Sequence, residues 1–127
     1  DNPDVPFNQK AVEAFRFLAE QFHSGNILIT TTRRLLGYCQ AISQIEFKNK
    51  KTERGLHIEI VPASDSNRSL RLSVADLAGL TFYTPVPKST FVTIDDKEVA
   101  DLIYNKPDYT GRTSLSLPWH KLEFPQI

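Results

Sequence analysis

Residues Thr30 to Arg34, TTTRR, set three hydroxyls and two guanidinium groups in five consecutive positions, directly after the apolar run Ile27, Leu28 and Ile29. Together with the free backbone N–H groups at the start of a helix, such a corner can hold an anion, which makes Thr31, Thr32 and Arg33 candidate substrate-binding residues. A capped helix with two solvated arginines accounts for the same residues. The second available chemistry is sugar stacking. Trp119, the only tryptophan, could present a flat aromatic face to a pyranose ring with Tyr104 and Tyr109, supported by hydrogen bonds from Asp108 and Arg112. Against this, Trp119 follows Pro118 and precedes Leu122 and Phe124, a setting in which a large aromatic closes a core.

No set of residues amounts to a catalytic constellation by itself. His23, His57 and His120 stand far apart, without the short Cys or His spacing of a zinc site. Asp95-Asp96 reads as a turn, and Ser64, Ser66 and Ser69 fall in a polar loop without a nucleophile elbow. Neither a metal nor a cofactor is expected. Asn67-Arg68-Ser69 matches an N-glycosylation sequon. Cys39 has no second cysteine to pair with, and its apolar helical setting predicts a small core residue. Fifteen basic residues balance fifteen acidic ones, so there is no electrostatic footprint for nucleic acid or an anionic membrane surface. No run approaches the roughly 18 apolar residues that span a bilayer.

The elements that must position these groups follow from periodicity. A chain of 127 residues can bury roughly two-thirds of its unfolded surface as one domain, or hold a small domain with part of another. The lack of methionine and the start at Asp1 predict a processed or excised piece. Asn8 is placed to cap a helix whose apolar face is Val12, Phe15, Leu18, Ala19 and Phe22, and Gly25 suits its end. Ile27 to Ile29, apolar without alternation, predict a strand covered on both faces, and Arg33 begins a second helix. From Ile42 onward apolar and polar residues alternate. Ile45 and Phe47 pair with Leu56, Ile58 and Ile60 in a hairpin; Leu70 to Val74, Leu80 to Phe82, Phe91 to Ile94 and Thr113 to Leu117 predict further strands. The predicted class is α+β, a short helix-strand-helix segment at 1–41 followed by a mainly antiparallel β-sandwich at 42–127.

This order, with GNILITTTRRLLGYCQA at its centre, resembles the C-terminal part of polysaccharide deacetylase-like proteins. Their incomplete (β/α) barrel ends in a strand and helix and can carry an added β-sandwich. The resemblance makes residues 8–41 the last barrel elements and 42–127 the appended domain. Family enzymes are metal-dependent hydrolases of acetyl groups, using an aspartate pair and a two-histidine motif that this chain lacks. The resemblance therefore implies a non-catalytic accessory region, partnered by the catalytic barrel of the same polypeptide, in an extracellular or cell-envelope setting. Two other readings stand beside it. Residues 42–127 could be a carbohydrate-binding module with Trp119 and Tyr109 as contacts, or a protein-interaction surface that forms a homodimer through exposed apolar faces.

Overall fold

The structure, a computed structural model, describes residues 6–64 and 72–120. Its elements are α1 (Gln9–His23), α2 (Thr32–Ile42), β1 (Ile45–Thr52), β2 (Gly55–Pro62), β3 (Thr81–Tyr83), a single 3-10 turn at Pro87–Ser89, β4 (Thr90–Ile94), β5 (Lys97–Glu98), β6 (Ile103–Asn105) and β7 (Ser114–Ser116). The fold is α+β, as the periodicity implies. The chain divides into two compact units between Thr31 and Thr32.

In the first unit Asn8 caps α1, its Oδ1 accepting the Ala11 N–H at 2.9 Å. Gly25 takes the left-handed conformation past the last turn, at φ 80°. Along α1 Phe22 is buried, whereas Phe15 and Phe17 remain 55% and 59% exposed. The strand expected at Ile27 to Ile29 is not formed. A strand needs a neighbour for its N–H and C=O groups, and no described strand pairs with this run, which is irregular and leaves Leu28 64% exposed.

The second unit holds α2 and both sheets. Tyr38, Ala41 and Ile42, three and four positions apart, form the stripe of α2 that meets the core. Cys39 falls off that stripe and is exposed, which corrects its expected place in the core. β1 and β2 form the expected antiparallel hairpin, in register from Ile45↔Pro62 to Thr52↔Gly55. β4 then joins β2 in parallel and β5 folds back on β4, giving the order β1-β2-β4-β5. The other sheet is antiparallel, in the order β3-β7-β6.

The period-two alternation explains how the two sheets share one core. Ile58, Ile60, Val92 and Ile94 lie on one face of the first sheet and meet Leu115, Leu117, Leu77 and Leu80. Each such side chain contributes about 1.5–3 kcal/mol on full burial. Phe47 and Phe82 meet edge-on at 5.3 Å between the sheets. Asp95 and Asp96, at φ 48° and 63°, make the two-residue turn between Ile94 and Lys97, so this aspartate pair is structural.

The strand expected from Leu70 to Val74 is not seen in its described part: Leu70 lies outside the described residues, while Leu72 and Val74 pack on the core without ladder bonds. The sequon Asn67 to Ser69, and Leu122 and Phe124, also lie outside the described residues. Among the described residues no helix is long and apolar enough to cross a membrane.

Candidate functional site

Two surfaces of the second unit gather polar and aromatic side chains. The first is the loop between β6 and β7. Asp108 organises it: Oδ1 accepts from the Thr110 hydroxyl at 2.5 Å and from the N–H groups of Thr110 and Arg112 at 2.8 and 3.4 Å. Oδ2 accepts from the Tyr83 hydroxyl, also at 2.5 Å. Two backbone bonds close the loop, from Asp108 N–H to the Arg112 carbonyl at 3.2 Å and from Gly111 N–H to the Asp108 carbonyl at 2.9 Å. The Thr110 hydroxyl first and the Tyr83 hydroxyl next hold the Asp108 carboxyl down to about 2. The bond to Asp108 in turn raises the Tyr83 hydroxyl above its ordinary value.

Strand alternation explains why Tyr83 reaches this loop. Phe82 pairs with core residue Leu115, so Tyr83, paired with Ser114, projects from the opposite face. The Arg112 guanidinium lies 4.0 Å over the Tyr83 ring. Beside this knot Tyr109 is 99% exposed. The loop therefore presents a bare aromatic ring, a second ring capped by a cation, and a carboxylate that stays ionised at neutral pH.

The second surface runs along the outer face of the first sheet and into a groove. His57 and Phe91 pair directly across β2 and β4, and their rings stack at 4.6 Å with 6° between planes. Arg54 lies 4.3 Å over the Phe91 ring and forms a two-point ion pair with Glu98, with Nη1–Oε2 at 2.7 Å. That pairing lowers the Glu98 carboxyl and raises Arg54. His57 Nε2 and Thr93 Oγ1 share a hydrogen bond of 2.7 Å. Thr93 is buried, so this hydroxyl ties two strands together rather than offering a nucleophile.

Beside this face two clefts of about 280 and 430 Å³ adjoin, both lined by Lys88, Ser89 and Tyr104. The first is also lined by Arg54, Phe91, Glu98 and Asp101, and the second by Val86, Pro87, Asn105 and Thr113. Lys88 stands on the 3-10 turn, which is pinned by the Ser89 N–H and the Thr90 hydroxyl donating to the Val86 carbonyl at 3.0 and 2.8 Å.

The structure gathers Asp108, Tyr109 and Arg112 and adds Tyr83, which strand alternation alone could have assigned to the solvent side. Trp119 is half-buried and its indole lies against Gly79, where a Cβ would stand 3.7 Å from Cγ. Thr31, Thr32 and Arg33 are exposed, with Thr32 and Arg33 in the first turn of α2. Their neighbour Arg34 donates through Nη2 to the His120 carbonyl at 3.3 Å. Lys88 carried no signal in the sequence beyond its position between two prolines and a strand. Among the described residues no group of three or more His, Cys, Asp or Glu side chains is placed to hold a metal ion. Comparison with protein-family models, curated proteins and solved structures finds no match for the chain.

Proposed function

We propose that this chain is a non-catalytic accessory region of a carbohydrate-active protein, and that its β-rich unit contacts polysaccharide. The observation that carries the reading is Tyr109, 99% exposed on a loop that Asp108 fixes from four donors. The loop backbone is already tied, so meeting a sugar face orders only the Tyr109 side chain. The Arg112 guanidinium stands beside it as a donor for sugar hydroxyls, while the Asp108 carboxylate is taken up by its own four donors.

The accessory role is supported by apolar side chains left in solvent. Phe15 and Phe17 of α1, and Leu35 and Leu36 of α2 at 51% and 63% exposure, are surfaces that a catalytic region of the same polypeptide would cover. A second copy of the chain would cover them as well, and sedimentation across a concentration series separates these occupants: a monomer favours the parent polypeptide, a dimer the second copy. Glycan-array binding followed by titration of Tyr109→Ala tests the ligand. Loss of binding in a folded variant supports the reading; array binding unchanged by Tyr109→Ala and Tyr83→Ala removes it.

A further inference from the structure

The groove shared by Lys88 and Tyr104 reaches the end of the Asp108 loop at Thr113 but is not lined by Tyr83, Asp108, Tyr109 or Arg112, and it has a chemistry of its own. Its cations are not equivalent. Arg54 is neutralised by Glu98, whereas Lys88 is exposed and forms no ion pair among the described residues. Lys88 stands where the two clefts meet, so a ligand in either one comes under its charge. Asp101 lines only the cleft shared with Arg54, which leaves Lys88 as the one charged group among the described residues lining the 430 Å³ cleft.

The walls of that larger cleft specify more than an anion. Tyr104, 53% exposed, supplies an aromatic surface, and Val86 and Pro87 supply apolar contact. Asn105 also lines this cleft, and its amide nitrogen donates to Ser116 and Ser114 at 2.8 and 3.2 Å, which ties the residue to β7. An aromatic wall, an apolar wall, a polar amide residue in the lining and one unpaired ammonium group together match a hydroxylated ring that bears a single carboxylate.

We infer that the groove beside Tyr104 binds the uronic acid unit of an acidic polysaccharide, with Lys88 on its carboxylate and Tyr104 against its ring. This rests on the reading of the chain as a glycan-contacting module, and adds a second contact that selects charge. The ammonium–carboxylate bond gives selectivity over neutral sugars, because only the acid form supplies the charged acceptor. The turn at Pro87–Ser89 fixes the backbone from which the Lys88 side chain extends.

The test is calorimetric titration of the 127-residue chain with oligogalacturonate, its methyl ester, a cello-oligosaccharide and inorganic phosphate. Oligogalacturonate is expected to bind at least about tenfold more tightly than the ester. Lys88→Ala is expected to abolish that difference and Lys88→Arg to restore it, while Tyr104→Ala weakens both sugars. Circular dichroism verifies that each variant is folded. Equal binding of acid and ester, or acid binding unchanged by Lys88→Ala, overturns the inference. Phosphate displacing the oligomer at equal concentration reduces the groove to a simple anion site and also overturns it. Binding that is lost in Tyr109→Ala but indifferent to Lys88 leaves the loop as the glycan contact and removes the groove; no binding of any sugar removes both.

Discussion

Gly55 approaches Ser89 so closely that a Cβ added to it would run into the Ser89 carbonyl oxygen. Gly55 also sits at φ 138°, where a side chain is strained whatever the space around it. The first residue of β2 is thereby the floor beneath the turn that carries Lys88. Gly55→Ala is expected to lower stability by about 2–4 kcal/mol, read as a reduced urea midpoint. An unchanged midpoint would show that the turn can move away without loss.

The Asp95-Asp96 turn leads to the opposite expectation. Both residues occupy left-handed backbone, at φ 48° and 63°, which glycine adopts without a Cβ penalty. Asp96→Gly is expected to raise stability by about 0.5–1 kcal/mol, visible as a higher thermal midpoint.

Asp108 sets a pH dependence with a definite sign. Its carboxyl is lowered from 3.8 to about 2, so its contribution is complete above the unfolded value and is lost as pH falls through the folded one. Wild type is therefore expected to lose stability between about pH 4 and pH 2 more steeply than Asp108→Asn, as followed by acid titration of thermal midpoints. The Tyr83 hydroxyl, raised by the same bond, has the reverse sign: its contribution is present below the ordinary tyrosine value and lost as pH rises through the folded one. In Asp108→Asn the ultraviolet titration of Tyr83 should move back down.

Tyr109 and Trp119 should separate binding from stability. Tyr109→Ala removes a ring that is 99% exposed and is expected to leave the unfolding midpoint within about 0.5 kcal/mol of wild type. Trp119→Ala removes packing over Gly79 and is expected to destabilise by about 1–3 kcal/mol. Equal effects of the two changes would mean that Trp119 is not engaged in packing.

Much of the second unit was legible in the residues. Wherever apolar residues alternate over both partners of a pair, as in Phe47, Ile58, Ile60, Val92 and Ile94, strand and inward face both follow from period two. Asn8 likewise announces the start of α1. Ile27 to Ile29 show the limit of this reasoning: an unalternating apolar triplet is equally compatible with a buried strand and with a connection, and only neighbouring strands decide. Nor can alternation disclose that β4 lies parallel to β2, because direction is set by the route of the intervening chain. Of the loop cluster, Asp108, Tyr109 and Arg112 were visible as neighbours in sequence. The groove was not, since Arg54, Lys88 and Tyr104 meet only through long-range pairing.

The parallel contact between β2 and β4 has a consequence for the order in which the protein can assemble. β2 ends at Pro62 and β4 begins only at Thr90, so a growing chain carries the first hairpin with one ladder edge of β2 unmatched until Ile94 has been added. During that interval its unmatched N–H and C=O groups can template pairing with a second nascent chain. Truncations ending between Pro62 and Ile94 are thus the ones expected to precipitate, and the order of synthesis itself creates the interval in which a chaperone would be most useful.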